Sequence, residues 1–178
     1  MIASLMSAAL LALAMAGDQA ASQGAQAAAS ISGPGGVSGS AVLREGPQGV
    51  LVELDLEGMS PGWHAVHFHD KGSCADPKFQ SAGAHINHPA AKRPHGLLNP
   101  QGPDFGDLPN VWAGADGVVR ARLYSQLVSI RGTGERPALA DADGSSIVIH
   151  AKADDYLTQP IGGAGDRVAC GTVTPGTR

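Results

Sequence analysis

Six of the seven histidines fall between Trp63 and His95, and the seventh, His150, lies far downstream in the apolar run Ile147-Val148-Ile149-His150. A chain that gathers these imidazoles must bring two separate strands and one long loop together. In Trp63-His64-Ala65-Val66-His67-Phe68-His69 the residues mark a strand, and residues two apart share a face, so His67 and His69 converge with Cβ atoms roughly 6.5–7 Å apart. His64, three positions before His67, points to the opposite face and reads as a hydrogen-bonded core histidine. His67, His69, His85, His95, Asp107 and His150 together form a metal-site pattern, because imidazole and carboxylate donors suit zinc and copper. His88 sits in a Pro-rich stretch, where a merely solvated role stays open.

The remaining pattern is strand after strand. Val50, Val52, Leu54 and Leu56 alternate with Leu51, Glu53 and Asp55, and the turn Glu45-Gly46-Pro47-Gln48-Gly49 pairs this run with Val37–Leu43 as a hairpin. Strands are also expected over Trp63–His69, Val111–Ala115, Val118–Ser125, Ser146–Ala151 and Arg167–Val173. No helical period appears, and 25 glycines and 12 prolines supply turns. The expected fold is all-β: a Greek-key antiparallel sandwich or barrel of about eight strands, immunoglobulin-like. Two connections, 70–110 and 152–166, are long enough to be functional loops, metal-binding and electrostatic.

Met1–Ala16 is apolar and ends in the small-x-small run Ala14-Met15-Ala16, which reads as a secretory signal peptide too short to span a membrane comfortably; a membrane anchor is the lesser alternative. Residues 17–30, rich in Ala, Gln, Gly and Ser, are expected to be a disordered leader, leaving 31–178 as one domain. The two cysteines, Cys74 and Cys170, in an exported chain imply one disulfide tying the ligand-rich loop to the last strand. The expected location is periplasmic or secreted. Seven aromatic residues and a net charge of −4 give nucleic-acid binding no support, and no membrane association is expected after signal cleavage.

The segments Gly62–His69, Ser81-Ala82-Gly83-Ala84-His85, Gly106-Asp107-Leu108-Pro109-Asn110, Ile149-His150-Ala151-Lys152-Ala153-Asp154-Asp155 and Gly165-Asp166-Arg167-Val168-Ala169-Cys170-Gly171 resemble the copper/zinc superoxide dismutases, in their bacterial periplasmic form. The resemblance implies copper on His67, His69, His85 and His150, with His85 as an imidazolate bridge to a zinc held by His85, His95 and Asp107. It also implies that Asp154 hydrogen-bonds His67 and His95, and that Arg167 guides superoxide. The implied reaction converts superoxide to O2 and hydrogen peroxide by Cu(II)/Cu(I) cycling, with His85 as proton source, in a homodimer or monomer.

This chain departs from the family pattern at one zinc-ligand position. Asp104 stands where the family has its third zinc histidine, so either Asp104 ligates through oxygen, the favoured reading, or the zinc site is weakened, giving a copper-only variant. A second anionic ligand makes the site harder and more permissive toward other divalent ions. The net charge repels superoxide at long range, so a local positive focus is required: Arg167, with Lys152 and Lys71 as outer contributors. The alternatives are a non-catalytic copper-binding or copper-delivery module on the same fold, and a cupin-type metalloenzyme, which would want a Glu near Ser73 and Cys74.

Overall fold

A computed structural model describes residues 24–176. Its order of strands is β1 (Gln26–Ser32), β2 (Ser38–Gly46), β3 (Gly49–Glu57), β4 (Gly62–His64), β5 (Val66–His69), β6 (Val111–Ala113), β7 (Val119–Ser125), β8 (Ser145–His150) and β9 (Arg167–Pro175). Seven strands form one antiparallel sheet in the order β5-β8-β9-β1-β2-β3-β7, and β4 pairs with β6. Because β4 runs into β5 through Ala65 and β6 leads into β7, this ribbon links the two ends of the sheet, which curls into a barrel. The fold class is the one expected, and among the described residues the only helical segments are 3-10 turns at Pro34–Gly36 and Gln80–Ala82.

Period-two burial explains the curl. On β3, Val50, Val52, Leu54 and Leu56 are buried against Leu43, Ala41 and Leu123 of its neighbours, and β5 and β8 add Val66, Phe68, Ile147 and Ile149 to the same interior. The apolar face of each strand has nowhere to go but inward.

Gln26–Ser30, assigned to a disordered leader, belong to β1, which pairs with β2 on one side and β9 on the other. Ala27 and Ala29 bury only methyl groups, too little apolar area to stand out in the sequence, and the strand is held by backbone pairing on both edges. The proposed signal peptide and residues 17–23 of the leader lie outside the described residues, and just before β1 the Ala25 carbonyl accepts the Glu45 N–H at 2.8 Å. The continuous strand expected over Trp63–His69 is broken at Ala65, where β4 departs to pair with β6.

The far edge of β5 holds the long loop in place. The Phe68 N–H donates to the Gly106 carbonyl, and the Phe68 carbonyl accepts from the Ile86 N–H, at 2.9 and 3.0 Å. Bridges His67–Asp107 and His69–His85 result. A Cβ on Gly106 would stand 2.3 Å from the Phe68 carbonyl oxygen, so only glycine allows this approach.

Candidate metal centre

β5 puts Val66 and Phe68 into the barrel and His67 and His69 on its outer face, under the loop. β8 does the same with Ile147 and Ile149 inside and Val148 and His150 outside, and its pairing sets His67 opposite Val148 and His69 opposite Ser146. His85 arrives on the loop edge of β5. The ligand-capable nitrogens of His67, His69, His85 and His150 lie within 4.8 Å of one another.

Each imidazole has one nitrogen committed. His67 Nε2 lies 2.9 Å from Asp154 Oδ2, His69 Nδ1 donates to the Gly83 carbonyl at 3.0 Å, and His150 Nδ1 donates to the Gly165 carbonyl at 3.1 Å. His85 Nδ1 lies 2.9 Å from Asp104 Oδ2. The other four nitrogens, His67 Nδ1, His69 Nε2, His85 Nε2 and His150 Nε2, are buried without a hydrogen-bond partner. Buried polar atoms without partners cost about 1–3 kcal/mol each, so four pointing at one another require a shared occupant. A proton does not serve His67, His69 or His150. Burial lowers His67 to about 4, His69 to about 2 and His150 to about 3, with His85 adding to the effect at all three and Arg167 at His69 and His150; at His85 burial is outweighed by Asp104 and Asp107, which raise it. Neutral imidazoles present lone pairs, and a four-nitrogen set suits copper.

A second set backs onto the first. His95 Nδ1 lies 2.5 Å from Asp107 Oδ1, and His85 Nδ1 lies 3.6 Å from the same oxygen. Asp104 Oδ2 is 2.9 Å from His85 Nδ1 and 3.9 Å from His95 Nδ1. Both carboxylates are built alike. Asp104 Oδ1 accepts the Gly106 N–H, while Asp107 Oδ2 accepts the N–H groups of Gly96 and Asp104. One oxygen of each is thus fixed by backbone and the other turns to the histidines. Burial pulls His95 down, but Asp107 and Asp154 outweigh it and hold the ring at about 10. Burial raises Asp104 against the pull of His85. Such a nest of two imidazoles and two carboxylates holds protons only where a cation is wanting, and its mixed nitrogen and oxygen donors suit zinc.

Asp154 joins the two sets. Its Oδ2 meets His67, its Oδ1 lies 3.0 Å from His95 Nε2, and the Tyr156 N–H adds a bond at 2.6 Å. A Cβ on Gly162 would stand 1.7 Å from Oδ1, so glycine leaves room for the carboxylate.

Arg167 opens β9, opposite His150 across a register shift. Its guanidinium donates to the carbonyls of Phe79 and Gly83 at 2.5 and 2.7 Å, so Gly83 accepts from both Arg167 and His69. The disulfide Cys74–Cys170 pins this loop to β9. A cavity of about 550 Å³ opens beside His150 and Arg167, with Lys78 on its wall.

Residues 37–173 match the family model described as copper/zinc superoxide dismutase. The chain belongs to the copper/zinc superoxide dismutase family. It is 60% identical over 141 residues to a Cu-Zn superoxide dismutase of Caulobacter vibrioides, covering 79% of this chain and 80% of that one. It is 42% identical over 144 residues to Cu-Zn superoxide dismutase 2 of Aquifex aeolicus, covering 80% and 82%. A crystal structure of a SOD-like protein from Bacillus subtilis superposes with TM-score 0.75 at 34% identity, covering 82% of this chain and 96% of that one.

Copper and zinc are the cofactors of the copper/zinc superoxide dismutase family, and the two donor sets fit them. His67, His69, His85 and His150 lie together in one set and His85, His95 and Asp107 in the other, with Asp104 Oδ2 2.9 Å from His85 Nδ1 and the Asp154 carboxylate between His67 and His95. His64 and His88 do not join. His64 lies with its ring nitrogens 2.7 Å from the carbonyl oxygens of His150 and Ser60. His88 Nδ1 accepts the Ala90 N–H, and its ring rests on Phe105. Lys71 is ion-paired with Asp143, which weakens its claim as an outer contributor. Lys78, unnoticed in the sequence, lines the cavity instead; only its place five residues before Gly83 in the Arg167-holding loop could have flagged it.

Proposed function

We propose that the chain dismutates superoxide at a copper held by His67 Nδ1, His69 Nε2, His85 Nε2 and His150 Nε2, beside a zinc held by His85 Nδ1, His95 Nδ1, Asp104 Oδ2 and Asp107 Oδ1. The observation behind it is the convergence of four buried, unpartnered imidazole nitrogens. Copper, when bound, supplies the one-electron couple by which one superoxide leaves as O2 and the next as hydrogen peroxide.

The protein's own groups do the rest. Arg167, pinned by two carbonyls, offers its guanidinium to an anion entering the cavity and so offsets the net charge of −4. Lys78 adds a second positive charge on that wall. His85 holds a proton at Nε2 when that nitrogen is free and gives it to the departing peroxide, which takes its second proton from solvent, while Nδ1 faces Asp104 and Asp107 on the zinc side. Asp154 keeps the proton of His67 on Nε2 and so leaves Nδ1 as the donor.

The anchored Arg167 also supports catalysis over a non-catalytic copper-delivery role, since a carrier has no need of an anion guide. Direct zinc ligation by Asp104 is supported by its backbone-fixed carboxylate. Metal analysis of wild type and Asp104→Ala tests it: zinc is expected to fall in the variant, and equal zinc in both removes Asp104 from the set.

The reading extends to a periplasmic or secreted protein, supported by the disulfide and the apolar N-terminal segment. For the oligomeric state, homodimer or monomer, the exposed Trp63 and Trp112, paired across β4 and β6 with ring centroids 5.2 Å apart, favour the dimer. Sedimentation of wild type and Trp112→Ser tests it; two monomers would reject it.

A further inference from the structure

We propose that Asp76 is a positioning residue for superoxide dismutation, setting where the Arg167 guanidinium stands by capping the turn whose carbonyls hold it. The proposal rests on the reading of the site above and adds a residue outside both metal sets.

The loop from Cys74 to His85 must aim two carbonyls, those of Phe79 and Gly83, at one guanidinium. Between them lies the 3-10 turn Gln80–Ala82, whose N-cap, Phe79, offers no side-chain cap and sits in the left-handed region at φ 54°. An aromatic residue adopts that conformation only when its surroundings impose it. Asp76 imposes it. Its Oδ1 accepts the N–H groups of Lys78 and Gln80, both at 3.0 Å, and its Oδ2 accepts the Ser81 N–H at 2.7 Å. Its backbone carbonyl takes the Phe79 N–H at 2.9 Å. One carboxylate thus satisfies three N–H groups of a tight turn and fixes the direction in which the Phe79 carbonyl points. The Gly83 N–H returns to the Gln80 carbonyl, which carries the same order to the second acceptor of Arg167.

Burial lowers Arg167, and the charges of Asp76 and Asp70 oppose that effect, so a charge role and a positioning role of Asp76 must be separated. In Asp76→Asn the side-chain oxygen keeps the bonds from Lys78 and Gln80 and the charge is gone. Asp76→Ala loses all three. The experiment measures azide affinity of the copper-loaded protein, read from the copper absorption band, for both variants in wild-type and Arg167→Ala backgrounds. Asp76→Ala is expected to weaken azide about three- to tenfold and Asp76→Asn about twofold, from the hydrogen bonds lost. Both losses are expected to vanish in the Arg167→Ala background. Equal losses in the two backgrounds would overturn the proposal, as would no loss at all, or equal tightening in Ala and Asn, which is the mark of charge. Should Asp76→Ala not fold, the Asn variant decides by the same comparison. A wild-type chain that takes no copper strikes the functional reading instead; exchange of the Arg167 guanidinium protons in metal-free protein then decides, with faster exchange in the variant supporting the proposal and unchanged exchange overturning it.

Discussion

Replacing Asp154 by Asn separates the two metals in a way that its position makes calculable. The carboxylate is buried, with Oδ1 accepting from His95 and the Tyr156 N–H and Oδ2 accepting from His67 alone. An amide has one oxygen, and it belongs where two donors point, so the NH2 faces His67 Nε2. That ring then has two options. It keeps its Nε2 proton against an NH2, a buried donor without an acceptor, at a cost of about 1–3 kcal/mol. Or it moves the proton to Nδ1 and accepts from the amide, which removes the lone pair from the copper-donor atom. Either way copper affinity falls, by about 10- to 100-fold, the range found for groups that orient metal ligands, while zinc affinity stays closer to wild type because His95 keeps its acceptor. Chelator competition for each metal in wild type and Asp154→Asn reads both affinities. Equal losses at copper and zinc, or unchanged copper affinity, would refute this account of Asp154.

The Arg167→Ala variant is expected to bind copper as wild type does, to lose about tenfold in dismutation rate, and to show a flatter salt dependence; a wild-type rate and salt slope would remove Arg167 from its role. In metal-free protein, His67, His69 and His150 have folded values of about 4, 2 and 3 against an ordinary 6.5, so the unfolded chain binds more protons as pH falls below about 6.5. Stability should therefore drop by up to about 1.4 kcal/mol per pH unit for each of these groups between about 6.5 and 4. His95 works in the opposite direction, its contribution being full below 6.5 and lost as pH rises through about 10. Urea midpoints at pH 5 and 7 test the acid limb, and equal midpoints would contradict it. Removing the disulfide as Cys74→Ser/Cys170→Ser, which opens a sequence separation of 96, should cost roughly 4–5 kcal/mol in the chain-entropy view and weaken the salt dependence by freeing the Arg167 loop; an unchanged melting temperature would count against it.

The barrel was readable because its strands announce themselves. Val50, Val52, Leu54 and Leu56 alternate visibly with polar residues, and His67 and His69 fall between Val66 and Phe68, so both the core face and the metal face of β5 lie open in the sequence. β1 was not readable, since Ala27 and Ala29 bury so little that their strand resembles a spacer until β2 and β9 pair with it. The break at Ala65 is not legible either, because pairing with β6 is a long-range event that leaves no local mark. At the site, the resemblance in motif supplied the roles of Asp154 and Arg167. What no motif shows is backbone: the Gly96 and Gly106 N–H groups that aim Asp107 and Asp104, and the Gly83 carbonyl shared by His69 and Arg167. Side-chain chemistry is legible one residue at a time, whereas an N–H or a carbonyl gains its role only from where the chain turns.

The most direct measurement is metal content and superoxide turnover on one preparation of the purified protein given both metals. Equimolar copper and zinc per chain with rapid dismutation is the expected result. Copper absent from the chain, or present without turnover, would contradict the convergence of His67, His69, His85 and His150 on a working redox ion.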